Sequence, residues 1–261
     1  MKEKYLKYSI FNPTGNITAL VESFIEPDKI LLAADEIMRL HPEVEQVGFV
    51  RFPESFDPAC DIILHMAGGE FCGNASMCAA AFLLLNDGNR FGSGAEQIDV
   101  NVICAGQSVP VSLRPEAGKC FQASIQMPEA IMISEERFQF EYMQGDLPVV
   151  HLDGISHIII EPGSVFWKLK SDRNAAEHAV RNWCRKLGTQ GLGLLFIEST
   201  ALGVDKGSRE NSLPVPDMGF FHNHGINCPV AYDFLPLVFV PGADTMVWEK
   251  SCASGSAALG M

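Results

Sequence analysis

Gly68-Gly69-Glu70-Phe71-Cys72-Gly73-Asn74-Ala75-Ser76 (68–76) and Ser251-Cys252-Ala253-Ser254-Gly255-Ser256 (251–256) share one local pattern: a cysteine followed at once by tiny residues. Small residues let a backbone approach a ligand closely, and the orphan N–H groups of a helix's first turn bind anions and favour thiolate. A single cysteine before glycine reads as a small buried residue. Two in matching context, one per half of the chain, point to thiols presented from facing helix starts. The other cysteines at 60, 78, 104, 120, 184 and 228 lack that environment and read as packing residues.

Outward from the first motif, residues 5–11 alternate and are closed by the turn cluster Asn12-Pro13-Thr14-Gly15-Asn16, after which 17–24 resume a strand pattern, so a hairpin is expected. Pro27 suits a first helical position. Ile30, Ala33, Ala34, Ile37 and Met38 recur with helical spacing until His41-Pro42. Strand patterns at 46–51 and 61–66 lead into the motif; the Ala-, Met- and Leu-rich stretch 75–85 reads as a buried helix, ended by Asn86-Asp87-Gly88-Asn89. Residues 98–104, 108–113 and 121–127 form an antiparallel meander, and 128–145 reads as the crossover between halves.

The second half repeats the order. Strands at 147–152 and 157–160 precede an amphipathic helix capped by Ser171, with Ala176, Val180, Trp183, Cys184 and Leu187 as its stripe and Gly188 as its end. A strand at 192–198, a long polar loop at 200–227, and strands at 238–240 and 246–248 then lead to Cys252. The organisation is a quasi-repeat of α/β type, with domains at 1–127 and 128–261.

Thirty-two acidic against 19 basic side chains give a formal charge of -13, the wrong sign for a reader of phosphate backbones, so no nucleic-acid partner is expected. Met1-Lys2-Glu3-Lys4 is followed by no apolar signal core, and the longest apolar run, 77–85, is too short to span a bilayer; a cytoplasmic protein without membrane partners is expected. Eight cysteines in a chain of 261 residues without a signal peptide read as free thiols, and no pair has two-residue spacing. His222, His224 and Cys228 form the one metal-like cluster, but the alternating spacing also suits a solvated strand or loop, so no metal is expected.

Two cysteines facing each other across a cleft can invert a carbon centre. One thiolate removes the proton next to a carboxylate, and the opposite thiol delivers another. A free thiol titrates near ~8.5, and each unit by which a helix start lowers that value favours thiolate by ~1.4 kcal/mol. The same first-turn N–H groups can hold the substrate carboxylate and offset charge in the carbanion, so the chemistry requires no cofactor.

Gly15-Asn16, Glu70-Phe71-Cys72-Gly73-Asn74-Ala75, Gly154-Ile155-Ser156-His157 and Ser251-Cys252-Ala253-Ser254-Gly255 resemble, in order, the signatures of the diaminopimelate epimerase and proline racemase superfamily, which works without pyridoxal phosphate. The resemblance implies two similar α/β domains, each a mixed or antiparallel sheet wrapped around a central helix, with the active site between them. Residues 12–18, 45–49, 126–128 and 248–252 are most similar to the histidine racemases of staphylopine-type metallophore synthesis. Carried over, Cys72 and Cys252 are the acid/base pair, Gly73, Asn74, Ser254 and Gly255 hold the carboxylate, and Asn16, Glu45, Gln46, His157 and Glu249 line the small amino-acid substrate, with Glu249 facing its ammonium group. Each has a plainer reading: Asn16 as a turn residue, Glu45 and Glu249 as solvated edge carboxylates, His157 as a hydrogen-bonded core residue. The distal clamp of diaminopimelate epimerases is replaced by Ile155, Gly193 and Lys250, which favours a substrate with one α-centre. Ala253 stands where the superfamily has glycine, and the chain stops at Met261 where members continue, so either a truncated form or a second domain closed in some other way is expected. Homodimers occur among related enzymes, but no self-complementary surface is readable in the sequence. Diaminopimelate epimerase, or an inactive amino-acid-binding relative, are the alternatives.

Overall fold

The computed structural model describes residues 6–55, 57, 59–87, 95–200 and 232–261. The first half is a seven-stranded mixed sheet in sequential order: β1 (Tyr8–Phe11), β2 (Thr18–Val21), β3 (Gln46–Arg51), β4 (Ile62–Met66), β5 (Ile98–Cys104), β6 (Gln107–Pro115) and β7 (Phe121–Ile125). Its two parallel pairings, β2 with β3 and β4 with β5, each need a crossover. Helices α1 (Ile30–Leu40) and α2 (Gly73–Asn86) supply them.

Strand periodicity divides the apolar side chains between the two helices. Ala19, Val21, Val47 and Phe49 pack with Ile30, Ala33, Ala34 and Ile37 of α1. Leu20 and Val50, on the other face, join Ala75, Cys78, Ala79, Phe82 and Leu83 of α2. Helix α1 therefore buries one stripe, whereas α2 is apolar on all sides and fills the centre of its half.

The second half repeats this plan in a six-stranded sheet of order β13-β12-β11-β10-β9-β8: β8 (Met132–Phe140), β9 (Met143–His151), β10 (Ser156–Ile160), β11 (Leu192–Thr200), β12 (Tyr232–Val240) and β13 (Thr245–Trp248). Helix α3 (Arg173–Leu187) makes the parallel β10–β11 crossover and packs Val180, Trp183 and Cys184 on one face. Short helix α4 (Ala253–Gly260) lies on the other, where Cys252 and Ala258 meet Val150, Leu195 and Val238. Each half is thus a sheet between an outer helix and an inner one that starts directly after a cysteine.

Two expectations are corrected. The stretch 128–145 is not an extended crossover, because β8 and β9 form an antiparallel hairpin turning at Glu141, whose φ is 52°, and only 126–131 link the sheets. Strand β8 is an edge, and polar Ser134 and Glu136 take the half-buried positions that Phe138 and Phe140 continue, so the apolar alternation is missing from its first part. The cap of α3 is Asp172, accepting from the Ala175 N–H at 3.0 Å, while Ser171 closes the preceding 3-10 turn. Asp172 also places negative charge at the positive end of the helix. The polar loop at 200–227 and the His222, His224, Cys228 trio lie outside the described residues, apart from Thr200 at the end of β11.

Candidate active site

The halves meet through glycines that admit backbone. A Cβ on Gly242 would stand 2.5 Å from the Gly68 carbonyl oxygen, and one on Gly154 would stand 3.1 Å from the Phe71 nitrogen. Thr14 Oγ1 reaches Ser251 Oγ across the seam at 2.8 Å, and the side-chain amides of Asn16 and Asn74 both donate to the Ser251 carbonyl, at 3.4 and 3.3 Å. The residue before Cys252 is therefore held by the half that carries Cys72.

The cysteines are near copies. Cys72 has φ -137°, ψ 111° and Cys252 φ -137°, ψ 108°, and each is the N-cap of its helix. Cys72 Sγ accepts from the Ala75 N–H at 3.3 Å and Cys252 Sγ from the Gly255 N–H at 3.4 Å. The hydroxyls of Ser76 and Ser256 close each first turn on the cysteine carbonyls, at 2.8 and 2.9 Å. Intrahelical bonding starts only at the N–H groups of Ser76 and Ser256, so those of Gly73, Asn74, Ala253 and Ser254 precede it and are available to an anion. Gly255 differs from the expected carboxylate contact: its N–H holds the Cys252 sulfur.

Both cysteines line one cleft, together with Glu45, Gln46, Glu70 and Glu249. The Cys72 thiol donates to Gln46 Oε1 at 3.1 Å, and Gln46 Nε2 donates to Thr18 Oγ1 at 2.7 Å. Cys252 is hydrogen-bonded to Glu249, and its sulfur lies 3.5 Å from Ser254 Oγ. Ser254 Oγ in turn meets Nε2 of the fully buried His157 at 2.9 Å, so His157 stands behind the cleft wall rather than in it. Burial pushes the imidazole down to about 3, leaving it neutral. Asn16, buried at the seam, likewise meets Glu249 and the Ser251 carbonyl from behind the cleft.

Electrostatics correct the expectation that helix starts make these sulfurs thiolates. Desolvation raises both thiols well above their ordinary value. At Cys72 it outweighs the Ala75 N–H; at Cys252 the charge of Glu249 adds to it. Glu249 is itself pushed up to about 7, first by burial and then by Glu45 and Glu70, against the hydrogen bonds from Cys252 and Asn16. Burial also raises Glu70, whose own N–H and that of Gly68 partly offset it, and Glu45, which Lys250 partly offsets. A cation entering this cleft would stabilise all of these anions at once. Among the described residues lining it there is no lysine, arginine or histidine.

The positions of the lost distal clamp separate. Ile155 lines the cleft, Gly193 lies under the His157 ring, where a Cβ would stand 2.3 Å from Nδ1, and Lys250 packs against Gly15 near Glu45. Ala253 fills the space that glycine would leave: its Cβ would be 2.9 Å from a Cβ on Gly73. Glu70 also lines the cleft, a place the sequence does not reveal, since a carboxylate after two glycines reads as an exposed turn.

Residues 5–203 match the family model described as the histidine racemase CntK N-terminal domain. A histidine racemase of Fusobacterium nucleatum is 29% identical over 99% of this chain and 81% of its own length, and one of Staphylococcus aureus is 26% identical over 100% and 81%. In fold the chain is similar to a hydroxyproline epimerase from Agrobacterium vitis solved with bound trans-4-hydroxy-L-proline. That match has a TM-score of 0.60 and 12% identity, covering 97% of this chain and 75% of that one. A probable proline racemase from Agrobacterium radiobacter gives a TM-score of 0.55 at 12% identity, over 76% and 68%.

Proposed function

The chain belongs to the histidine racemase CntK N-terminal domain family, and on that premise we propose that it is a cofactor-independent amino-acid racemase that inverts the α-carbon of histidine between the thiols of Cys72 and Cys252. The observation that carries the reading is the matched pair of cysteine caps on one cleft. The substrate carboxylate sits on the first-turn N–H groups of Gly73 and Asn74 and of Ala253 and Ser254, and the ammonium on Glu249. Entry of that ammonium lowers the thiols, and one of them gives its proton to solvent water as the substrate enters, becoming the base. The base takes the α-proton from one face while the opposite thiol gives its own to the other; the carboxylate, charged further in the carbanion, is held by helix dipoles. After one turnover the protonation states of the sulfurs are exchanged, and the reverse reaction begins from that state.

Gln46 orients Cys72, Glu249 orients Cys252, and His157, Asn16 and Glu45 support these residues. Residues 1–127 and 128–261 act as the two domains, in the cytosol, and the D-histidine formed is a building block for an opine-type metallophore. No helix among the described residues is long and apolar enough to cross a membrane. Exchange of the α-proton for deuterium, followed by proton NMR for each L-amino acid in heavy water, tests the reading. Histidine exchanges with wild type, and Cys72→Ala and Cys252→Ala each lower the rate by at least ~10²-fold; retention of the wild-type rate by the double variant would rule the mechanism out.

A further inference from the structure

The cleft gathers three carboxylates, more than the single charge of an α-ammonium group balances. Glu45, Glu70 and Glu249 each enclose one oxygen, Oε2, that receives no hydrogen bond. An ammonium is one compact cation with three donors. Enclosed acceptors without donors are costly, so carboxylates beyond the one it neutralises specify a ligand with a further donor of its own.

The carboxylates are not equivalent. Glu249 is bonded to Cys252, beside the reacting centre, and Glu45 has Lys250 as counter-charge. Glu70 has neither. Its carboxylate is steadied by the backbone N–H groups of Gly68 and Glu70 itself, and its free oxygen lies against the second half. The point that a Cβ on Gly68 would occupy is 2.7 Å from Glu70 Oε2 and 2.4 Å from Val240 Cγ1, so these two are neighbours, and the missing Cβ leaves room for the carboxylate. Val238 and Val247 continue this apolar wall in the cleft. A wall of valines from paired strands β12 and β13, with one carboxylate at its border, complements a ring with apolar faces and an N–H on its edge.

We propose that Glu70 is the specificity-determining residue for the substrate's side chain, accepting an imidazole N–H while Glu249 receives the α-ammonium; this rests on the histidine reading above. An aromatic side chain without an N–H would leave Glu70 enclosed and unpaired. Sites built around such a bond reject the analogue lacking it by up to ~10⁴-fold or more.

The test compares α-proton exchange of L-histidine with that of L-3-(2-thienyl)alanine, a ring of similar size without a donor, in wild type, Glu70→Gln and Glu70→Ala. Thermal melts confirm that the variants fold. Wild type is expected to prefer histidine in kcat/KM by ~10³-fold or more. Glu70→Ala brings that preference to within about tenfold, by losing rate on histidine and gaining it on the thienyl substrate, and Glu70→Gln falls between. An equal loss on both substrates, as a structural role would give, or an unchanged preference, overturns the inference while leaving the histidine reading intact. Failure of wild type to exchange histidine while exchanging a donor-free amino acid overturns both.

Discussion

Gly73→Ala tests how the two helix starts are set against each other. The added Cβ would lie 2.9 Å from the Ala253 Cβ and 3.0 Å from Met127 Sδ. Met127 can rotate away, but Ala253 Cβ is fixed to the backbone of α4. Carbon atoms are comfortable at about 3.5–4.0 Å, so one helix start must retreat by roughly 0.6–1.1 Å. Overpacking of this kind costs ~1–3 kcal/mol, a fall in melting temperature of about 2–4 °C per kcal/mol. The larger effect falls on chemistry, because the retreat separates Cys72 from Cys252, and a misplacement of ~1 Å costs about 10²-fold. The assay is deuterium exchange at the histidine α-carbon, alongside a thermal melt. The decisive variant is Gly73→Ala with Ala253→Gly, which moves the methyl from one helix to the other; it should recover most of the lost rate. Activity of Gly73→Ala within threefold of wild type, or a double variant no better than the single one, would refute the reasoning.

Glu249, with its pKa raised to about 7 from 4.5, favours the protonated acid in the folded state, so it weakens folding as pH rises from 4.5 through about 7. Thermal melts of the ligand-free protein should show Glu249→Gln gaining on wild type over that window, and a constant difference would count against the assignment; binding of an ammonium ligand, which needs the anion, should strengthen over the same range in wild type only. Asp172→Ala should cost ~1 kcal/mol and Ser171→Ala a few tenths at most, read from denaturant midpoints. Gly193→Ala, whose Cβ would meet His157 Nδ1 at 2.3 Å, should displace the ring from Ser254 and lower kcat/KM by about tenfold or more with the melting temperature also reduced.

The helix starts at Cys72 and Cys252 are legible in the sequence because small residues after an N-cap are a local signal, and the outer helices because Ile30-Ala33-Ala34-Ile37 and Ala176-Val180-Trp183 form stripes. Edge strand β8 is harder to read, because its inward positions Ser134 and Glu136 are polar and only half-buried. Thiol ionisation is not legible at all. It depends on how deeply two distant segments bury each other, and here burial outweighs the local effect of the helix. Glu70 and His157 are similar cases, since what faces Glu70 is Val240 and what meets His157 is Ser254, partners set by tertiary contact alone.

The twin caps do not have twin surroundings: Gln46 attends Cys72, while Glu249 and Ser254 attend Cys252. Enantiomers have equal free energies in water, so for a racemase the equilibrium constant is one, and kcat/KM must be the same for the L and D forms whatever the protein does. A lopsided pair of acid/base groups can therefore show itself only in matched changes of kcat and KM between the two directions. The hand held more tightly by this cleft must also be the one converted more slowly at saturation.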